Sequence, residues 1–143
     1  MALDAKKVIN GTHGSLWIND EEIAEAKSFQ VKVEFQKEEV KTVGSMVTDT
    51  KFMGYSIKGS LALHKVNSRM IKHLSDSIKA GKEPRFTLMG KLADPDSNGT
   101  ERIVVKNVSF DDLTLMDFEV NSIGGTEHPF SATDWEILDS ILN

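Results

Sequence analysis

No cysteine occurs among the 143 residues, so disulfides and thiolate metal sites are excluded. The amino-terminal stretch MALDAKKVINGTHG lacks an apolar h-region, and no apolar run approaches the length of a membrane span. The expectation is a protein made and kept in the cytoplasm until something else uses it. Without a secretion signal, the N-x-S/T triplets at Asn10, Asn98 and Asn107 read as chance matches. A basic patch is missing too. The net charge is −5, the pI is about 5.3 and the lysines are scattered, which argues against tight binding to DNA or RNA. An acidic surface is compatible with letting nucleic acid pass without sticking. No internal repeat, low-complexity tract or linker breaks the chain, and its length favours one domain over 1–143.

Catalytic signatures are missing as well. Asp94, Asp96, Asn98 and Gly99 match the opening of an EF-hand loop, but its twelfth position, where a bidentate carboxylate is needed, holds Val105. The flanks alternate like strands, so a plain turn is favoured. His13, His64, His73 and His128 form no close pair of the zinc-helix type, and surface or packing roles are expected for all four. There is no G-x-S-x-G elbow, and Gly81-Lys82 lacks the upstream glycine of a P-loop. Nothing points to an enzyme, a metal or a cofactor.

What the sequence does contain is alternation. In 28–36, Phe29, Val31, Val33 and Phe35 face one way, with Gln30, Lys32, Glu34 and Gln36 on the other side. Residues 55–66 repeat this, with Ile57, Leu61 and Leu63 opposite Lys58, Ser60 and His64. Gly59 falls on the apolar side and implies a bend or a close backbone approach. Short strands are predicted around 14–26 with a turn at Asn19-Asp20, and at 85–93, 101–113, 113–120 and 128–138. A turn at 94–100 uses Asn98-Gly99. One helix is predicted over 68–81, capped by Asn67 or Ser68, with Met70, Ile71, Leu74 and Ile78 as its stripe, Gly81 at its end and Pro84 beyond. The class is mainly β with one α-helix, an antiparallel sandwich or half-barrel.

Between the two alternating segments lies KTVGSMVTDTKFMG, residues 41–54. It reads as a long loop, yet it holds Val43, Met46, Val47, Phe52 and Met53. Loops are normally polar because their backbone is solvated. An apolar one either folds back on its own core or docks on another copy. Methionines suit imperfect docking surfaces. Two readings follow: an assembly module whose strand edges pair between copies, or a barrel or sandwich that binds a small ligand between its sheets.

The stretches GSLWINDEEIAEAKSF, GYSIKGSLALHKVNSRM and GTERIVVKNVSFDDL, together with the order of elements, resemble the tail tube proteins of contractile phage tails. The resemblance is in particular to the group from PBSX-like defective prophages and R-type bacteriocins of Gram-positive bacteria. The resemblance implies hexameric rings that stack into a hollow tube, with strands of six copies closing a shared β-barrel. It implies a surrounding sheath protein, a baseplate and a tail terminator as partners, and DNA only as passing cargo. It makes 41–54 the loop that reaches a neighbouring subunit. It makes Lys32, Glu34, Lys58 and Ser60 candidates for the channel wall, and it turns the helix toward the sheath.

Overall fold

The computed structural model describes residues 3–66 and 68–141. Single 3₁₀ turns at Ala5–Lys7 and Gly11–His13 lead into β1 (Gly14–Ile18) and β2 (Glu21–Glu22). The predicted turn between them is present. Asn19 and Asp20 both have positive φ, 50° and 69°, as a two-residue hairpin loop that follows strand twist requires. Next come β3 (Ala26–Lys41) and β4 (Thr48–His64), then the helix α1 (Arg69–Lys79). The chain ends in β5 (Phe86–Leu92), β6 (Glu101–Phe110), β7 (Gly125–Ala132) and β8 (Asp134–Asp139). Every strand pairing is antiparallel.

The strands form two layers. One runs β2-β1-β5-β6-β8, the other β3-β4-β7. They are joined by β6, whose first half pairs with β5 and β8 while Ser109 and Phe110 pair with β7. This crossing needs a corner, and Asn107 makes it. Leu88 pairs with Val105 and Phe86 with Val108, so β6 carries one extra residue there. Asn107 takes φ 56°, a left-handed conformation that asparagine tolerates better than most residues. The bulge lets Val105 and Val108 both point into the core. The other bent strand breaks at Thr133, between β7 and β8. There the Asn107 Nδ2 donates to Thr133 Oγ1 at 2.9 Å. The two corners are thus pinned to each other.

The core lies between the layers. Leu16, Ile18, Leu88 and Val105 come from the first sheet; Ile57, Leu61, Leu63 and Phe130 come from the second. Leu74 is buried from α1. Gly59 sits in register between Val31 and Phe130. A Cβ there would lie 2.2 Å from the Gln30 carbonyl oxygen and 2.7 Å from the Phe130 ring. The close approach expected of this glycine is real, and Phe130, stacked on Phe29 at 6.1 Å, uses the space. His128 is fully buried beside Phe110, its ring nitrogen Nε2 2.9 Å from Thr126 Oγ1. Burial pushes its pKa down; Asp112 opposes this and Lys65 adds to it.

The structure departs from the sequence expectations in several places. The segment 113–120 has strand-like composition but no regular structure. The stretch 128–138 is two strands, not one. Neither Asn98 nor Gly99 has positive φ; Ser97 instead closes the turn through its backbone N–H and hydroxyl, both donating to the Asp94 carbonyl. Ser68 makes no side-chain cap, and Asn67 lies outside the described residues, as do the side chains of Met70 and His73. The helix end behaves as expected. Gly81 has φ 74°, and Lys82 and Gly81 donate back to Ser77 and Ile78, which satisfies two terminal carbonyls.

Asn107→Val places a β-branched residue in the left-handed region and is expected to cost about 1–2 kcal/mol or more. Asn107→Gly should cost less than Asn107→Val, about 1 kcal/mol, since glycine takes positive φ without steric cost and gives up only an exposed hydrogen bond and some chain entropy. Urea midpoints of the two variants check the order. His128 sets a pH dependence. Its folded pKa is depressed, so below about 6.5 the unfolded chain binds a proton that the folded chain resists. Stability is therefore full above that range and falls as the pH drops through it. Urea midpoints at pH 7.5 and 5.5 should show the loss, and His128→Leu should reduce it.

Candidate assembly interface

The ladder between β3 and β4 sets which side chains share a face. Lys32 stands opposite Lys58, Gln30 opposite Ser60 and Glu34 opposite Ser56. On the other side of β4, Lys58 and Ser60 stand opposite Ser131 and Pro129 of β7. Lys32, Glu34, Lys58 and Ser60 thus lie on one face of one sheet. The opposite face carries Ile57, Leu61, Leu63, Val31 and Val33 against the core. This parity is the one the alternation implied. The wall is polar and of mixed sign. Lys32 Nζ lies 3.5 Å from a Glu34 carboxylate oxygen, an exposed pair worth at most about 1 kcal/mol.

The edges of this sheet differ. β4 is flanked by β3 and β7, so it has no free edge over Ile57–His64. β3 is the end of the strand order. Among the described residues, no strand covers its outer side along 26–41. Of the two strands that hold the alternating segments 28–36 and 55–66, β3 alone keeps a free edge along its whole length.

The apolar stretch 41–54 is not a loop throughout. The strands continue to Lys41 and resume at Thr48, so the connection is only residues 42–47. The last pairing of β4 with β7 is Ile57 with Ala132. Beyond it β3 and β4 run on alone as a two-stranded ribbon, roughly 25 Å long at about 3.3 Å per residue. The tip turns at Gly44, φ 84°, with the Ser45 N–H donating to the Thr42 carbonyl at 3.2 Å. Val43 and Met46 are fully exposed, and Val47 nearly so. Phe52 and Met53 belong to β4. Gln36 pairs with Gly54 and Lys37 with Phe52, which leaves Met53 as a bulged residue.

The bulge brings Phe52 onto the face of Phe35 and Tyr55. The Phe35 and Phe52 rings are 5.5 Å apart, Phe52 and Tyr55 6.4 Å, and Tyr55 and Trp135 5.6 Å. Phe35, Phe52 and Tyr55 are at least half exposed, and Trp135 is 38% exposed. Aromatic pairs of this kind add about 0.5–1.5 kcal/mol beyond burial, but here they leave a large apolar ladder facing solvent. Phe35, Tyr55 and Trp135 were not singled out from sequence as surface groups. Phe35 alternates with core residues, and only the length of the ribbon carries it past them.

A cleft of about 590 Å³ opens between the layers beside β3, lined by Leu16, Ala26, Phe29, Val31, Gly90 and Ile103 among others. Asp94, first residue of the calcium-like motif, is occupied by backbone. Its carboxylate accepts from the N–H groups of Asp96 and Asn10, both at 2.9 Å. These bonds, the Asp96 one foremost, hold its pKa below the ordinary carboxylate value. Val105, at the twelfth position, is in the core. No group of three metal-ligating side chains occurs among the described residues.

An exposed apolar ribbon, a free strand edge and a polar sheet face are features of a part that meets copies or partners. Comparison with known proteins agrees. The family model described as phage tail tube protein matches residues 1–139. The phage-like element PBSX protein XkdM of Bacillus subtilis (strain 168) is 34% identical over 143 residues, covering 99% of this chain and 97% of that protein. Among solved structures, the tube-terminating cap of the anti-feeding prophage matches with a TM-score of 0.73 at 14% identity, covering 98% of this chain and 95% of that one. The sheath–tube complex of an extracellular contractile injection system matches with the same TM-score at 15% identity, covering 95% of each chain. The chain belongs to the phage tail tube protein family, whose members are structural parts and not enzymes.

Proposed function

We propose that the whole chain acts as a single tube domain. Six copies pair laterally into a ring, and rings stack into the hollow inner tube of a contractile particle, a phage tail or an R-type bacteriocin. The observation that carries this reading is the free edge of β3 on a sheet whose solvent face is polar. An uncovered strand of sixteen residues is an aggregation hazard unless a defined partner pairs with it. Lateral pairing in a ring removes the edge, and closure turns Lys32, Glu34, Lys58 and Ser60 toward a water-filled lumen. The core-facing side then stays inside each subunit, with α1 on the outer side toward the sheath.

The mechanism is mechanical. Backbone hydrogen bonds across a closed barrel resist deformation, because each one broken in a dry interface costs about 1–3 kcal/mol. Stacking multiplies weak contacts along the tube. Sheath, baseplate and terminator proteins are the partners of such a tube, and DNA crosses it only as cargo. Synthesis in the cytoplasm precedes assembly into the particle. The cleft beside β3 supports a second reading, a small apolar ligand held between the sheets.

Negative-stain microscopy at rising concentration separates the two. Rings and tubes are expected; a persistent monomer whose melting temperature rises with a small apolar compound would favour the ligand reading. Phe52→Asp should leave a folded subunit but abolish long tubes, because the aromatic ladder and the tip around Val43, Met46, Val47 and Met53 meet the next ring. Normal-length tubes of this variant would refute the role. In assembled tubes, Lys58→Cys should react with a small maleimide and resist one bearing a chain too bulky for the lumen, whereas the unassembled subunit should react with both.

A further inference from the structure

A second exposed apolar segment lies far from the hairpin tip. Residues 111–124 join β6 to β7 without regular structure over 112–119. Leu115, Met116, Phe118, Val120 and Ile123 are all exposed, Phe118 by 81% and Ile123 by 87%. That much apolar surface within nine residues is an interaction site or a liability. Its place in the fold is fixed by the end of β4. His64 pairs with Gly125, and the Lys65 N–H donates to the Gly124 carbonyl at 2.8 Å. The tip at 42–47 leaves from the other end of the same strand. The segment 111–124 starts beside Pro129, where the Asp111 N–H donates to the Pro129 carbonyl, and ends beside His64, so the molecule carries exposed apolar surface toward both ends of its longest strand.

Two unlike surfaces that meet make a heterologous contact, which propagates copy upon copy unless the rotation between copies closes a ring. Charge fits the same match. The segment 111–124 contains Asp111, Asp112, Asp117 and Glu119 and no lysine or arginine. The Phe52 face of the ribbon carries Lys37 and Lys41 against one carboxylate, Glu39, by the β3–β4 register. We propose that residues 115–123 form the receiving surface for the β3–β4 hairpin of a second copy, stacked head to tail. The proposal deepens the tube reading and rests on it. It explains why a segment with strand-like composition has no strand partner within its own chain: the neighbour's ribbon supplies the cover.

The native chain has no cysteine, so engineered pairs report contacts cleanly. Val43→Cys is combined in turn with Leu115→Cys, Phe118→Cys and Ile123→Cys in the full-length protein, which is assembled and then mildly oxidised. At least one pair should give a ladder of dimers, trimers and higher species on a denaturing gel, while each single variant fails to form a ladder beyond dimers. The double variant Phe118→Asp/Ile123→Asp should fold, by circular dichroism, and shorten tubes at least tenfold under the microscope. Normal tubes from this variant, with no ladder from any pair, would overturn the proposal and leave the tube reading standing. A ladder without tubes would support the head-to-tail contact and sink the tube. A folded protein giving neither ladder nor tubes would overturn both.

Discussion

The constraint on which the rest depends is the register between β3 and β4. Side chains in a strand alternate between faces, so one registered pair decides the side of every other residue. Lys32 opposite Lys58 puts the polar residues together on one face and hands Val31, Val33, Ile57 and Leu61 to the core. Gly59 holds this register. Only a residue without a side chain lets β3 and Phe130 approach so closely at that point, and a slip by one residue would bring a side chain into the gap. The bulge at Met53 then resets the phase beyond the core. It keeps Phe52 beside Phe35 and Tyr55 although the count along β4 has shifted by one.

Much of this was legible in the sequence, because burial on one face leaves a period of two. The alternation of 28–36 and 55–66 identified both strands and the parity of Lys32, Glu34, Lys58 and Ser60. The helix end was readable from Gly81 and Pro84, whose conformational limits act locally. The ends of the hairpin strands were not readable. From Lys37 to Met53 neither face is buried by the chain's own core, so composition there carries no period, and strand looks like loop. The reverse error arose at 113–120. Its residues favour a strand, but propensity is largely a record of partners and burial, and the subunit offers this segment no strand partner and packs only Leu113 of its large apolar residues against the core. His128 shows a third limit. Nothing in its neighbours distinguishes a fully buried imidazole from an exposed one; the packing of Phe110 against it comes from a different strand.

The corner at Asn107 and Thr133 links these observations to the shape of the subunit. β6 and the β7–β8 strand both pass from one layer to the other at that point, held side chain to side chain. The layers are thus continuous pieces of chain, not separate sheets in contact. Displacing one sheet relative to the other must bend two strands at once. The family likeness at 34% identity to a PBSX protein and the fold likeness to cap and sheath–tube chains at about 15% identity fit a plan in which this architecture outlasts most of its side chains.

The projecting ribbon has one last consequence. Its cross-strand hydrogen bonds lie perpendicular to its long axis. A tug on the tip along that axis loads both strands alike, so the force runs through covalent backbone to the sheet at the base and strains the rungs little. A sideways tug would bend the ribbon instead. The arm is therefore strongest in tension along its length, the direction in which it leaves the body of the molecule.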